Sequence, residues 1–242
     1  MDISVYLQHK SLGPVILPIT GLLLRGFSCY THRMHTILCF GDSNTFGTNP
    51  SGGRWAYESR WTGILAGLLG PSFYVIEEGM GGRTTVFDDP LEPNRCGKQF
   101  LPVALQSHRP LDLVIVSLGT NDCKVLFHAN ERIIANALEQ LIALIRTYPY
   151  GEGYPIPQIL VVSPIHIGLE IEKAPFVSYD ASSALLSRKL APAIERMAKQ
   201  RGALFLDASK VAQPSEIDQL HMNREGHLAL AQALHPMIAS LF

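Results

Sequence analysis

The sequence predicts an α/β chain built on a doubly wound, mostly five-stranded parallel sheet with helices on both faces. Three observations carry that prediction. Five short apolar runs alternate with longer segments of helical periodicity from residue 34 onward. The run at 113–118 (LVIVSL) is nearly continuous in its apolar character, as a strand buried on both faces of a parallel sheet requires. The runs also end in turn-forming or polar residues, which places several loops at the carboxyl edge of the sheet, where doubly wound folds bind their ligands.

The first strand is the run 36–40, which stops at Gly41-Asp42-Ser43-Asn44. Gly41 is expected to let the backbone turn sharply, leaving the Ser43 hydroxyl clear of the strand end. A Gly/Pro/Ser-rich loop with Trp55 and Tyr57 follows. Residues 61–69 then carry apolar side chains at helical spacing until Gly70-Pro71 stops them. The second strand is expected over 73–76 and runs into EEGMGGRTT (77–85), a second glycine-rich turn. A polar loop spans 86–98 and a short helix 100–108. The third strand, 113–118, ends at Gly119-Thr120-Asn121-Asp122. Asn130 is a candidate cap for a long amphipathic helix with Ile133, Ile134, Leu138, Leu141, Ile142 and Ile145 on one face. The fourth strand, 158–162, leads into an irregular insertion at 164–177. Asp180 caps a helix over 181–200 that Pro192 is expected to kink or divide. A short strand at 204–206 and a loop at 208–222 precede a last helix capped by Asn223.

Composition narrows the function classes. With 242 residues the chain suits one well-packed domain, and only 17% of them are charged while 47% are hydrophobic. That balance indicates a large core or a surface covered by self-association. A formal charge of −1, with no lysine-arginine run, excludes the basic footprint of a nucleic-acid binder. Cys29, Cys39, Cys96 and Cys123 form no CxxC pair, so neither a zinc site nor a disulfide framework is expected. Free thiols in a reducing, cytoplasmic setting fit this usage. Residues 1–33 resemble neither a membrane span nor a signal peptide. The apolar stretch 15–24 is short and broken by Pro18, and the chain opens Met1-Asp2 without a basic start. They are expected to be a leader outside a catalytic domain of residues 34–242.

The turns after strands one, two, three and five bring Ser43, Gly82, Asn121 and His221 to one edge. Taken alone, each has a structural reading. Ser43 could cap a helix, Asn121 could close a turn, Asp122 could cap, Asp218 could start a turn, and His221 could be a packed histidine. His221 with His227 lacks a third ligand at metal spacing. Together, Gly41-Asp42-Ser43, Gly82, Gly119-Thr120-Asn121-Asp122 and Asp218-Gln219-Leu220-His221 occur in the order of the SGNH (GDSL) hydrolases. The chain from Met34 onward resembles that family. The stretches EEGMGGRTT, RPLDLVIVSLGTNDCK and HMNREGH are similar to its arylesterase and acyltransferase branch.

That resemblance implies a flavodoxin-like fold and a serine esterase acting on short-acyl esters, with acyl transfer to alcohols as a competing outcome. It assigns Ser43 as nucleophile, His221 as base, and Asp218 as the acid that orients the imidazole. The N–H groups of Ser43 and Gly82 and the Asn121 amide become the oxyanion donors. Asp42, Phe46, Lys124, Phe127 and Ile165 become pocket residues, although a surface lysine and a core phenylalanine explain Lys124 and Phe127 equally well. No cofactor or metal is implied. The partner is a small-molecule ester, with no membrane or nucleic acid, and the branch favours a homo-oligomer with 164–177 at its contacts. The chain departs from the family at Gln219, where glycine is frequent. It departs from related acyltransferases at Gly82, where alanine occurs, and at Phe46, where tryptophan occurs. Two rivals remain: a carbohydrate deacetylase that stacks sugars on Trp55 and Tyr57, and a non-catalytic module holding an anion at the Ser43 turn.

Overall fold

Strands β1 (His35–Gly41), β2 (Phe73–Gly79), β3 (Leu113–Ser117), β4 (Gln158–Ser163) and β5 (Leu204–Asp207) form one parallel sheet in the order β2-β1-β3-β4-β5. These come from a computed structural model that describes residues 33–242. Apart from Arg33, the expected leader lies outside the described residues, as does Cys29. The register brings Gly41 level with Gly79 on one side and Ser117 on the other. The chain therefore leaves the first three strands at one height, and their turns meet.

Alternation along the strands fills two cores. Leu38, Phe40, Val114, Val116, Ile159 and Val161 pack under α3 (Gly97–His108), α4 (Glu131–Thr147) and α5 (Ala181–Gln200). Ile37, Cys39, Leu113, Ile115, Leu160 and Val162 pack under α2 (Trp61–Leu69) and α6 (Arg224–Ala239). Burying each such side chain contributes roughly 1.5–3 kcal/mol, so the sheet is a firm base for the loops at its edge. Asn130, Asp180 and Asn223 cap α4, α5 and α6 as expected, and Asp180 forms a capping box with Ser183.

Four local expectations need correction. Gly41 does not use a left-handed φ. It is needed because a Cβ there would lie 2.0 Å from Thr45 Oγ1 and 2.9 Å from the Ser117 carbonyl oxygen. β2 extends through Glu77 and Glu78 to Gly79, with both carboxylates given hydrogen-bond partners. Arg60 grips Glu77 through two hydrogen bonds of 2.9 and 2.7 Å, and His108 Nε2 lies 2.9 Å from Glu78 Oε1. α3 starts three residues early because the Gly97 and Lys98 N–H groups donate to the Thr84 and Thr85 carbonyls. Pro192 does not divide α5, whose buried face continues on both sides of it through Leu190, Ile194 and Met197.

Candidate active site

Ser43 is the first residue of α1 (Ser43–Phe46), a single helical turn directly beyond β1. Asp42 takes the capping role: its Oδ1 accepts from the Asn44 N–H at 3.0 Å. Full burial pushes the Asp42 carboxyl upward, against the pull of that bond and of Arg83 and His221. Asn44 reaches across to the base loop. Its Oδ1 accepts from Met222 N–H at 2.9 Å, and its Nδ2 donates to the Leu220 carbonyl at 3.4 Å. His221 is thus held from both neighbours by the residue that follows Ser43.

Within the base loop Asp218 Oδ2 lies 2.6 Å from His221 Nδ1. Its Oδ1 accepts from the Leu220 and His221 N–H groups at 3.1 and 3.0 Å. Burial raises the Asp218 carboxyl, but the imidazole and the two amides outweigh it and hold the group below the usual carboxylate range. The intervening Gln219 has φ +61°, a left-handed conformation that explains why glycine suits this position. Its side chain compensates by accepting from Glu170 N–H at 3.3 Å and donating to the Glu216 carbonyl at 3.1 Å. Among the described residues no hydrogen bond joins the Ser43 hydroxyl to the imidazole. The two side chains face the same cleft, and such contacts often tighten only with substrate bound.

Gly82, at φ +74°, presents its backbone to that cleft. The Asn121 amide is fixed from both ends: Nδ2 donates to the Arg83 carbonyl at 3.0 Å, and Oδ1 accepts from the Tyr179 hydroxyl at 2.9 Å. One amide N–H is left for the cleft. Burial, with nearby acidic groups, raises the Tyr179 phenol well above its ordinary value, so it stays a donor. Arg83, buried beneath the second turn, donates to the Gly41 and Glu78 carbonyls and lies 4.1 Å over the Phe40 ring. Burial lowers its guanidinium to about 10. Asp122 accepts from the Thr85 N–H and hydroxyl, joining the second and third turns, and burial raises its carboxyl to about 6. Sequence reading gave no role to Asn44, Arg83 or Tyr179.

The cleft has a volume of about 330 Å³. Of the five expected pocket residues, only Lys124 lines it, buried and ion-paired to Asp89 at 2.6 Å and Glu92 at 3.3 Å. Asp42 and Ile165 instead line a cavity of about 10 Å³ on the α2/α6 side. Phe46 lies under the Arg54 guanidinium at 4.1 Å, and Phe127 stacks on Phe87 at 4.8 Å. Trp55 and Tyr57 are not part of the wall either. Phe176 and Tyr179 take up the aromatic side, the Phe176 ring lying 5.9 Å from the His221 ring. Glu92 and Arg95, from the loop read only as polar, supply a charged edge.

His227 has no part in this cleft. It is fully buried, accepts from Trp61 N–H at 3.3 Å, and is lowered to about 4 by burial. Among the described residues no cluster of metal ligands occurs, Cys39, Cys96 and Cys123 are free and buried, and no helix is long and apolar enough to cross a membrane.

Residues 39–229 match the family model described as the GDSL-like lipase/acylhydrolase family. No curated protein matches the chain by sequence. Among solved structures, an aryl esterase from M. smegmatis is 37% identical with a TM-score of 0.79, covering 86% of this chain and 100% of its own. A carbohydrate acetylesterase from Sinorhizobium meliloti is 36% identical with a TM-score of 0.80, over 86% and 100% of the two chains. A member of the lipolytic G-D-S-L family from Veillonella parvula, 15% identical with a TM-score of 0.58 over 85% and 98% of the chains, shares the fold.

Proposed function

The chain belongs to the GDSL-like lipase/acylhydrolase family and is a carboxylic ester hydrolase, and on that premise we propose that it hydrolyses short-acyl aryl and alkyl esters through an acyl-enzyme on Ser43. The supporting observation is that Ser43, the Asp218-bound His221, Gly82 and Asn121 all face one cleft. Ser43 Oγ attacks the ester carbonyl while His221 Nε2 takes its proton, and Asp218 holds the opposite ring nitrogen in the donor tautomer. The carbonyl oxygen becomes an oxyanion and accepts from the N–H groups of Ser43 and Gly82 and from the free Asn121 N–H. Collapse expels the alcohol, which leaves with the proton from His221. Water then repeats the sequence on the acyl-enzyme and releases the acid.

Phe176, Tyr179, Leu220 and Lys124 restrict the space beside Ser43, which favours a small acyl group. An alcohol competes with water for the same acyl-enzyme. A second reading, hydrolysis of sugar acetates, is supported by the 36% identity to a carbohydrate acetylesterase and by the polar edge at Thr48, Glu92 and Arg95. The test is a fluorophosphonate adduct mapped by mass spectrometry, followed by kcat/KM for phenyl acetate, phenyl octanoate and a peracetylated sugar. A Ser43 adduct with preference for phenyl acetate is expected. Labelling elsewhere, or full turnover by Ser43→Ala, sinks the mechanism. A preference for the acetylated sugar selects the second reading.

A further inference from the structure

The charged edge of the cleft is unevenly satisfied. Asp89 is fully engaged: Oδ2 accepts from Lys124 Nζ at 2.6 Å, and Oδ1 accepts from the Leu91 and Glu92 N–H groups at 2.9 and 3.2 Å. Glu92 divides its oxygens between Lys124 Nζ and Arg95 Nε, each at 3.3 Å. Arg95 differs. Its carbonyl accepts from Thr84 N–H at 3.0 Å, which fixes its backbone. Its side chain, 31% exposed, meets a partner only through Nε among the described residues. The two terminal nitrogens of the guanidinium are left without one.

The position of that fork matters. A Cβ built on Gly82 would meet Glu92 Oε2 first and lie 2.9 Å from Arg95 Nε. The Glu92–Arg95 pair therefore stands beside the backbone donor of the proposed oxyanion site, with the terminal nitrogens of the guanidinium left over. The Gly81 and Gly82 N–H groups and the Thr48 hydroxyl, also on the wall, have no partner among the described residues. Apart from the reacting pair and the Glu92 carboxylate, these unpartnered groups can donate, the Thr48 hydroxyl also being able to accept.

We infer that Arg95 is an anion subsite that reads a carboxylate on the ester, so the enzyme selects carboxylate-bearing esters over neutral ones of equal size. The inference rests on the esterase reading of this cleft. A planar guanidinium fork matches a planar carboxylate. Glu92 and Asp89 offset the charges of Arg95 and Lys124, so recognition rests on the two unpartnered terminal nitrogens of the fork rather than on net charge, and a dianion such as a phosphate is disfavoured.

The test compares kcat/KM for 4-acetoxybenzoate and for a phenyl hemisuccinate with that for phenyl acetate, so that the carboxylate sits on the alcohol side in one and on the acyl side in the other. The readout is the ratio of charged to neutral ester. In Arg95→Gln that ratio should fall about ten- to a hundred-fold for at least one of the two, the effect of losing a hydrogen bond to a charged group. Arg95→Glu should lower it further, Arg95→Lys should keep part of it, and added salt should compress the differences. A ratio unchanged in Arg95→Gln, or equal in the Gln and Glu variants for both esters, overturns the subsite. If wild type fails on phenyl acetate, or Ser43→Ala retains turnover, the esterase reading fails instead.

Discussion

Tyr179→Phe removes a single hydroxyl and isolates the orientation of the Asn121 amide. That hydroxyl donates to Asn121 Oδ1 at 2.9 Å inside the protein, and the opposite end of the amide is held by the Arg83 carbonyl. Losing Asn121 altogether, as in Asn121→Ala, should cost kcat about 10²–10³, the effect of one missing oxyanion donor. Tyr179→Phe should cost less, because the Arg83 carbonyl still favours the same amide orientation. One neutral hydrogen bond is worth about 1 kcal/mol, which corresponds to a loss in kcat of roughly five-fold, with KM nearly unchanged. The decisive assay is a double-mutant cycle on phenyl acetate with thermal melts as a folding control. With Asn121 already alanine, Tyr179→Phe should have no further effect on kcat. A full second loss in that background would show that Tyr179 acts on substrate directly. A change confined to KM would make it merely part of the cleft wall.

Other expectations follow from groups around the same loops. Asp122 is raised to about 6 from an ordinary carboxylate value of 3.8, so its ionisation opposes folding, and stability should fall as pH rises from about 4 to 6. Asp122→Asn should therefore exceed wild type by up to about 3 kcal/mol at pH 7 and match it near pH 4 in urea titrations; an equal difference at both pH values would refute the linkage. His227 works in the opposite direction. Lowered to about 4, it supports folding above roughly pH 6.5 and loses that support as pH falls towards 4, so Asp122→Asn should expose an acid-sensitive limb that wild type masks. At Gln219, replacement by glycine relieves a left-handed residue while replacement by alanine keeps the strain and loses the side-chain bonds, so the glycine variant should be more stable by about 1 kcal/mol; a more stable alanine variant would contradict this. Val177 and Leu169, both within the 164–177 insertion, are 92% and 65% exposed, and a homo-oligomer covering them should dissociate in Val177→Asp/Leu169→Asp, read as mass by light scattering. An unchanged mass would place any contact elsewhere.

The sheet was legible because strands buried on both faces are apolar throughout, and β3 and β4 carry that pattern without help from distant residues. Ser43, Gly82, Asn121 and His221 were legible as neighbours because a parallel sheet returns every carboxyl end to the same edge. Their supports were not. Tyr179 bonds to Asn121 across 58 positions and Asn44 to Met222 across 178, distances at which no local periodicity gives a signal. Gly41 was identified for the wrong reason, since the sequence displays the residue but not the Thr45 hydroxyl and Ser117 carbonyl crowding it. The pocket expectation failed most for a similar cause. Phe127 and Ile165 are apolar near the right strand ends, yet side-chain direction sends one to Phe87 and the other to the α2/α6 core. The charged edge at Asp89, Glu92 and Arg95 left only the trace of acids and a base at short spacing in a loop.

The clip made by Asn44 has a consequence for how the enzyme wears out. Ser43 and His221 belong to loops at opposite ends of the sequence, but the residue beside one is tied to both neighbours of the other. Those two bonds couple the base loop to the nucleophile turn, so a displacement of either loop that keeps them intact also keeps the separation of Ser43 and His221. Remove the clip and the loops fluctuate separately, though the sheet beneath them loses none of its packing. Asn44→Ala should therefore lose turnover at a urea concentration where the helical circular-dichroism signal is still intact, turning one cooperative inactivation into two successive events.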